Sequence, residues 1–412
     1  MDGTSMRWSD AYYARPEVLR DKVVRCDVDV PLSTIAFLHR SRVSGVEFTG
    51  DLSGAHSRII WEEIGSCRQA GGGTHERLSE PLLANACSAE GFAHAARIGA
   101  GGLGLVRGEF LFAVAVVGLL DRRFHDGRTV ADVLTAEGDW RTLGRILDDD
   151  RLREELAERF LAELHPAGRL FQPGAPVFVR CFDYGDAYSA TGGQRGTPLL
   201  LNQLPGSISF LAQVLAEAQE QHPTRFVLGL PLVSSYAELA AGLGIAERAG
   251  VRFGDGGPGF GWEVETPAAC LCTGLWADQL QRERGVRVEL CGIGTNDLTQ
   301  FTLARPRREA ARPIEGRHEA HPAVLALLTR LAQDCTTRSL TAVLSGVAGE
   351  DPGYRAFARE LGFLVSCPVP ALHRSARPPV PVLDQAVEAD GLADGTGVAE
   401  AVGWSREPSS LS

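Results

Sequence analysis

The sequence predicts an α/β fold in which a closed (β/α)8 TIM barrel follows a small α/β unit. From residue 81 onward, short apolar segments alternate with helical patterns, which indicates parallel strands joined by helices. Eight such segments favour a closed barrel over an open sheet. Each is continuously apolar, as expected for a strand that is buried on both faces. The 412 residues accommodate a barrel of roughly 250 residues together with one or two smaller units.

The predicted elements follow this alternation along the chain. The strands are Pro81–Ser88, Gly102–Arg107, Pro176–Tyr184, Phe226–Val233, Gly261–Thr266, Val286–Thr295, Leu340–Gly346 and Phe363–Pro368. Helical patterns occupy several of the connections, at Ser88–Ile98, Ser207–Gln221, Ser235–Ala249 and Pro322–Cys335.

Composition divides the chain into four predicted parts. Residues 1–66 form the small α/β unit, residues 67–80 a glycine-containing linker and residues 81–375 the barrel. Residues 376–412, which are rich in Pro, Gly, Asp, Glu and Ser, are expected to be a disordered tail. Residues from about 110 to 168 are too many for an ordinary βα loop and are helical in composition. We therefore expect a helical insertion at the C-terminal face of the barrel.

Charge and composition exclude several classes of function. The net charge of −11 argues against a nucleic-acid or anionic membrane surface. Lys22 is the only lysine, which excludes a Walker-type phosphate loop and makes Schiff-base chemistry unexpected. The chain opens on polar residues, has no apolar run of membrane-spanning length and places its nine cysteines without a C-x-x-C pair. We expect a cytoplasmic protein with reduced thiols.

Arginines and acidic or amide residues are concentrated where the predicted strands end. In a barrel of this kind the C-terminal strand ends form the functional face. Two carboxylates with an amide oxygen suit Mg²⁺ or Mn²⁺, and several arginines suit a small anion that carries phosphate and carboxylate groups. One such arginine could simply cap a strand, whereas the whole set indicates a binding site. The residues are Arg107, Arg180, Asp183, Arg195, Glu265, Asn296, Asp297 and Arg307.

Four segments of the barrel resemble a known family. Gly104–Phe112 (GLVRGEFLF), Val179–Asp183 (VRCFD), Val264–Ala269 (VETPAA) and Gly292–Ala304 (GIGTNDLTQFTLA) are similar to segments of Enzyme I of the sugar phosphotransferase system. The resemblance extends to phosphoenolpyruvate (PEP) synthase and pyruvate phosphate dikinase and covers roughly residues 81–372.

This resemblance implies roles for individual residues. The positions that match the family's Mg²⁺ (or Mn²⁺) ligands are Glu265 and Asp297. The positions that match the residues holding PEP are Arg107, Arg180, Asn296 and Arg307. Arg195 matches a further substrate-binding arginine. The resemblance also implies PEP and pyruvate as ligands and a homodimer as the default assembly.

The N-terminal unit resembles a truncated form of the family's swivelling phosphohistidine domain. Ser53–Gly65 (SGAHSRIIWEEIG) aligns His56 with the histidine that takes the phosphoryl group from PEP. A neutral imidazole at a helix N-terminus is a suitable phosphoryl acceptor. The glycine pair and the threonine that precede this histidine in the family are absent here, so a histidine without that role is an equal alternative.

The sequence departs from the family pattern at three places. Ser345 stands where the family has the cysteine that protonates enolpyruvate, and a hydroxyl is a far weaker acid than a thiol, whose reference pKa is about 8.5. Cys367 and Cys181 are alternative donors, although buried structural cysteines are commoner. The Gly-Gly-Asp-Lys loop of the family reads Asp183–Tyr188 (DYGDAY), without the lysine. We also expect the first 65 residues or so to be too few for a complete swivelling domain and for the domain that docks the phosphocarrier protein, and we see no ATP-grasp domain.

Three functions fit this sequence. The first is a Mg²⁺-dependent phosphotransferase that passes the phosphoryl group of PEP to His56 or to an external acceptor of unknown identity, such as a small molecule. The second is a PEP-binding pseudoenzyme or regulatory subunit with little turnover. The third is a lyase or aldolase that uses a metal-bound enolate on the same barrel.

Overall fold

A computed structural model gives the fold of residues 5–7, 11, 16–27, 30–49, 57–58, 61–62, 77–124, 139–184, 192–304 and 318–375. His56, Arg307 and the predicted tail at 376–412 lie outside these described residues.

Eleven parallel strands form two sheets in the described part of the chain. Three strands make a small sheet in the order β1-β2-β3, and eight close into a barrel in the order β10-β11-β4-β5-β6-β7-β8-β9. The predicted (β/α)8 class is therefore confirmed. The strands are β1 Ser5–Arg7, β2 Val23–Cys26, β3 Gly45–Phe48, β4 Leu83–Asn85, β5 Leu103–Arg107, β6 Pro176–Arg180, β7 Arg225–Leu230, β8 Gly259–Val264, β9 Val288–Gly294, β10 Thr341–Ser345 and β11 Leu364–Pro368.

Helices join the strands and cover the outside of the barrel. They are α1 Pro16–Leu19, α2 Leu32–Arg40, α3 Ala89–Arg97, α4 Gly108–Phe124, α5 Asp139–Leu147, α6 Asp150–Leu170, α7 Gly196–Gln203, α8 Pro205–Gln221, α9 Tyr236–Arg248, α10 Pro267–Arg284, α11 Thr295–Leu303, α12 Pro322–Arg338, α13 Pro352–Glu360 and α14 Val369–Ser375. Short 3-10 turns lie at His318–Ala320 and Val347–Glu350. Three helices, α4 to α6, stand between β5 and β6, where the sequence predicted a helical insertion.

The predicted strands overlap the observed ones but most run too far at their C-terminal ends. The strand predicted at Pro176–Tyr184 ends at Arg180 in the structure, and the strand predicted at Val286–Thr295 ends at Gly294. The reason differs from strand to strand. After β9 the helix α11 begins at once at Thr295, whereas after β6 the chain leaves the sheet while its side chains stay buried. Apolar burial continues beyond the last ladder hydrogen bond, so burial alone does not mark a strand end.

The barrel interior is filled by an apolar layer. Six inward-facing side chains form this cluster, and glycines make room for the largest of them: a Cβ added at Gly229 would lie 2.2 Å from the Phe178 ring. Because side chains alternate along a strand, residues two positions further on point into the same interior at the C-terminal mouth. The six are Leu83, Leu105, Phe178, Val227, Leu290 and Val343. This layer forms the floor of the cavity described below.

The N-terminal unit is attached to the barrel through a helix cap. Helix α2 packs against α4. Pro31, the N-cap residue of α2, makes no side-chain hydrogen bond that would cap the helix. Asp139, the first residue of α5, supplies the cap instead. Its Oδ2 accepts hydrogen bonds from the backbone nitrogens of Leu32 (2.7 Å) and Ser33 (3.4 Å), and its Oδ1 accepts one from the Ser33 hydroxyl. A buried carboxylate therefore joins residues more than a hundred positions apart.

The helices were compared with the length and hydropathy that a membrane-spanning helix needs. No single helix in the described residues is long and apolar enough to cross a membrane. Two consecutive helices, Gly196–Gln203 and Pro205–Gln221, reach that length and apolar composition only when they are taken together, and the chain bends by 104° between them.

We expect Asp139→Ala to destabilise the protein by about 2 kcal/mol, because an N-cap contributes roughly 0.5–2 kcal/mol and buried amides lose their acceptor. Urea unfolding measures the change. Asp148→Ala is the matched control, because Asp148 is exposed on the same segment and its loss is expected to cost less than about 0.5 kcal/mol. Equal stability of the two variants would show that the cap does not secure the N-terminal unit.

Candidate functional site

A small polar cavity lies above the apolar layer, at the C-terminal ends of the barrel strands. About 30 Å³ of space remains between its side chains, which is room for about one water molecule. The cavity is lined by Leu105, Arg107, Arg180, Asp183, Arg195, Glu263, Glu265, Gly294, Asn296, Asp297, Ser345 and Gly346.

Arg180, the last residue of β6, is the centre of a buried ion cluster. Its guanidinium donates a short hydrogen bond to Glu109 and lies 3.8 Å from Asp183 and 3.6 Å from Glu265. Burial by itself lowers the pKa of Arg180, but these carboxylates raise it above its usual range. Glu109 also accepts a hydrogen bond from the Asp183 backbone nitrogen at 3.3 Å. Arg180 is therefore charged and fixed in orientation.

Arg195 bridges two carboxylates across the cavity. Its Nε and Nη2 donate to the Asp183 carboxylate at 2.9 and 2.8 Å, and its Nη1 and Nη2 donate to Asp297 at 2.9 and 3.1 Å. Such paired contacts match the planar fork of a guanidinium. Burial lowers the pKa of Arg195, and Asp183 and Asp297 more than offset this. The connection after β6 is thereby tied to the first turn of α11.

Glu265 follows β8 and links the cavity to a strained turn. Its Oε2 accepts a hydrogen bond at 3.1 Å from the backbone nitrogen of Leu232, a residue with a left-handed φ of 49°. Non-glycine residues rarely adopt this conformation. Burial, together with the nearby charges of Glu263 and Asp297, raises the pKa of Glu265 well above its usual range. Excess negative charge thus surrounds this carboxyl.

Glu263 lies two residues earlier on β8 and faces the same cavity. Burial raises its pKa to about 7, although Arg180 and Arg107 oppose the shift. Within the part of the chain that the structure describes, neither of its carboxyl oxygens has a hydrogen-bond partner.

Ser345 ends β10 beside the start of α11. Its hydroxyl donates to the Ile293 carbonyl at 3.2 Å, and the Thr295 hydroxyl donates to the Ser345 carbonyl at 3.1 Å. The next residue, Gly346, has a φ of 100°, and a Cβ there would lie 2.6 Å from Thr295 Oγ1. Glycine is therefore required at 346, and Ser345 is held at the cavity wall.

The structure brings most of the predicted site residues into one cavity. Eight of them line it, namely Arg107, Arg180, Asp183, Arg195, Glu265, Asn296, Asp297 and Ser345. His56 and Arg307 lie outside the described residues, and their roles stay predictions.

The two alternative cysteines do not line the cavity among the described residues. Cys181 is packed in the outer core, and burial raises the pKa of its thiol to about 12. Cys367 donates to the Gly349 carbonyl at 2.9 Å, and burial raises its thiol pKa to about 11. Each cysteine is next in sequence to a residue whose side chain faces the barrel interior. Because successive side chains of a strand point to opposite sides, both cysteines face outward.

Sequence reasoning missed two members of this site. Glu109 lies within the quoted segment Gly104–Phe112 but received no role, although it orients Arg180. Glu263 was missed altogether. The signal that could have found it is strand alternation, because a residue two positions before Glu265 on a barrel strand faces the same interior.

The donor chemistry of the cavity fits a divalent cation, which would be held by Glu265 and Asp297. Four lining carboxylates stand against three lining arginines, and an anionic ligand would add further negative charge. Carboxylate oxygens carry two lone pairs each, so the contact with Arg195 does not by itself prevent Asp297 from coordinating a metal. No three described residues form a ready-made metal cluster. Mg²⁺ commonly completes its shell with water and substrate oxygens.

Comparison with known proteins identifies a family for most of this chain. A family model described as PEP-utilising enzyme, PEP-binding domain, matches residues 62–374. The chain belongs to the PEP-utilising enzyme family. The family resemblance inferred from the four barrel segments is thereby confirmed, and the matched residues contain the whole barrel.

Relatives of this PEP-utilising protein are similar at modest identity. The phosphoenolpyruvate-protein phosphotransferase of Streptomyces coelicolor is 28% identical over 287 residues, which cover 68% of this chain and 43% of the relative. The phosphoenolpyruvate synthase of Pyrococcus furiosus is 27% identical over 213 residues, covering 48% of this chain and 25% of the relative. The chain spans less than half the length of these curated relatives.

Among solved structures, malate synthase from Haloferax volcanii in complex with lead(II) is 16% identical, with a TM-score of 0.38. The match covers 63% of this chain and 69% of that one. A likeness of this size carries no argument about function.

We expect Arg180→Gln to destabilise the protein by about 3–5 kcal/mol, because removing one partner leaves buried carboxylates uncompensated. Chemical denaturation measures the loss. The exposed Arg252 provides the control, since Arg252→Gln should change stability by less than about 0.5 kcal/mol. A similar small change in both variants would show that the cluster around Arg180 does not depend on its charge.

Proposed function

We propose that this chain binds PEP together with Mg²⁺ or Mn²⁺ at the barrel mouth and transfers its phosphoryl group to His56 or to an external, small-molecule acceptor. The observation that carries the proposal is the convergence of three arginines and the Glu265–Asp297 pair on one enclosed cavity, in a chain of the PEP-utilising family.

The arginines supply binding for the two anionic ends of PEP. Arg107 lies on the cavity wall with its guanidinium 5.1 Å from the centre of the Phe110 ring, and Arg180 is oriented by Glu109. Guanidinium groups recognise phosphate and carboxylate through paired hydrogen bonds. Asn296, in the first turn of α11, adds an amide and the favourable end of the helix dipole. Arg307, which lies outside the described residues, is proposed as a further contact.

The charge balance supports a cation as well. Adding PEP to a cavity in which carboxylates outnumber arginines is unfavourable unless positive charge accompanies it. When bound, Mg²⁺ would neutralise charge on the transferring phosphoryl group. Because Arg195 already holds Asp183 and Asp297, we propose that it positions these carboxylates rather than binding the phosphate directly.

The proposed transfer breaks one bond and forms another. The bond between phosphorus and the enol oxygen of PEP breaks, and a bond forms between phosphorus and a nitrogen of His56 or an oxygen of the acceptor. The enolate left behind becomes pyruvate when a proton reaches its terminal carbon. Ser345 lies on the cavity wall, but its hydroxyl is too weak an acid to supply that proton efficiently.

Binding of PEP with little turnover is the second candidate. It is favoured by the position of the cysteines, because Cys181 and Cys367 are packed in the outer core and no thiol lines the described cavity. In that case the protein acts as a PEP-responsive subunit.

We expect PEP with Mg²⁺ to stabilise the protein against heat. A ligand at a hundred times its Kd adds about 2.7 kcal/mol to the unfolding free energy. Arg107→Ala should weaken PEP binding by roughly 10- to 100-fold, because a hydrogen bond to a charged group is worth about 1.5–3 kcal/mol. Differential scanning fluorimetry and calorimetric titration measure both effects.

Arg97→Ala is the control for Arg107→Ala, because Arg97 is exposed on α3, outside the cavity. Glu265→Gln and Asp297→Asn should abolish the dependence of PEP binding on Mg²⁺. Unchanged PEP and metal binding in these two variants would remove the site assignment.

Incubation with ³²P-PEP and Mg²⁺ should label the wild-type protein and leave His56→Ala unlabelled, since a phosphohistidine needs that imidazole. His321→Asn, which changes an exposed histidine that caps α12, should label normally. Pyruvate release without label would indicate direct transfer to an acceptor. Absence of both, with PEP binding intact, would favour the binding subunit.

A further inference from the structure

Glu263 is a buried carboxyl that no part of the described protein satisfies. Its side chain is 1% exposed and lines the cavity, yet neither Oε1 nor Oε2 has a hydrogen-bond partner. The other acids of the cavity differ: Glu265 accepts from a backbone nitrogen, and Asp183 and Asp297 are held by Arg195. Leaving a buried acceptor unpaired costs about 1–3 kcal/mol, and more for a charged group.

The strand next to Glu263 leaves space for this carboxyl. Residue 263 pairs in register with Gly292 on β9, and a Cβ at position 292 would lie 2.6 Å from Glu263 Oε1. A glycine opposite the carboxyl is therefore what permits its present position. A leucine at 263 would continue the apolar layer beneath it without any unpaired atom. The carboxyl is thus unnecessary for filling the barrel and points to a ligand.

Above the apolar floor, the wall of the cavity offers little apolar contact to a plain hydrocarbon group. Apart from two glycines, Leu105 is its single apolar member among the described residues. Once the arginines and Asn296 hold the phosphate and the carboxylate of a ligand, and Glu265 and Asp297 hold the cation, the polar lining groups that remain are Asp183, which Arg195 holds, Ser345 and Glu263. A methylene group, such as the terminal carbon of PEP, gains nothing from these polar neighbours and leaves Glu263 without a donor.

We propose that Glu263 accepts a hydrogen bond from a hydroxyl group on the carbon skeleton of the ligand. The site then prefers a 2-phosphorylated carboxylic acid with a hydroxyl on the adjacent carbon. This inference rests on the proposed function, because it assumes that the arginines hold the phosphate and the carboxylate. A site built to bind a hydroxyl discriminates strongly against the analogue that lacks it, since the buried acceptor is then left unpaired.

Two probes isolate this contact. In 2-phosphoglycerate and 2-phospholactate the same tetrahedral carbon carries the phosphate and the carboxylate, and the two differ by one hydroxyl on the terminal carbon. Calorimetric titration with Mg²⁺ should show that the wild type binds 2-phosphoglycerate roughly 10- to 100-fold more tightly. In Glu263→Leu the ratio should fall to about one, with 2-phospholactate and PEP bound at least as well as by the wild type. Glu263→Gln, which keeps an acceptor oxygen, should retain part of the preference.

A stability measurement shows that the leucine variant is folded and tests the unpaired carboxyl independently. Without ligand, Glu263→Leu should have a higher Tm than the wild type, because an apolar side chain of similar volume replaces an unsatisfied polar one.

The possible results separate this inference from the proposed function. A wild-type ratio near one, or a preference that persists in Glu263→Leu, overturns the role of Glu263 while PEP binding stands. A lower Tm in Glu263→Leu also counts against it, since the carboxyl would then be satisfied within the protein. Failure of the wild type to bind PEP and both probes overturns the proposed function and this inference with it.

Discussion

Buried charge is the constraint on which the mouth of this barrel depends. Acidic side chains from the ends of β6, β8 and β9 meet within a few ångströms, and each would be costly to bury alone. Arg180 and Arg195 make the arrangement possible, the first by contacting Glu109, Asp183 and Glu265 and the second by bridging Asp183 and Asp297. Removing either guanidinium takes an ion-pair partner from at least two of these carboxylates. The same cluster fixes the positions of the groups that would contact a ligand.

This arrangement follows from the period of two along each barrel strand. Leu105 and Phe178 belong to the apolar floor, and the residues two positions later on those strands, Arg107 and Arg180, line the cavity. One strand thus contributes to stability at its centre and to chemistry at its end. Glycines at 229 and 292 remove side chains where the Phe178 ring and the Glu263 carboxyl need space. Stability and function are therefore assigned to successive layers of the same interior.

The N-terminal unit introduces a second dependence. Helix α2 has no cap of its own and takes one from Asp139, which belongs to the helices between β5 and β6. Movement of this unit relative to the barrel would break these hydrogen bonds and expose a buried carboxylate.

The sequence by itself determined the closed parallel barrel, because eight apolar segments alternating with helices admit few other arrangements. It also predicted which strand ends supply the polar lining of the cavity, since the specific segment Gly292–Ala304 and the arginines at 107 and 180 are local features of the chain. Strand ends were predicted less well, because apolar burial extends past the last ladder hydrogen bond.

Only the tertiary structure decided which charges pair across the cavity. Arg195 meets Asp297 although 102 residues separate them, and Glu263 has no hydrogen-bond partner among the described residues. Such contacts depend on the closure of the barrel, which brings residues from distant strands to one face, and no spacing along the chain encodes them.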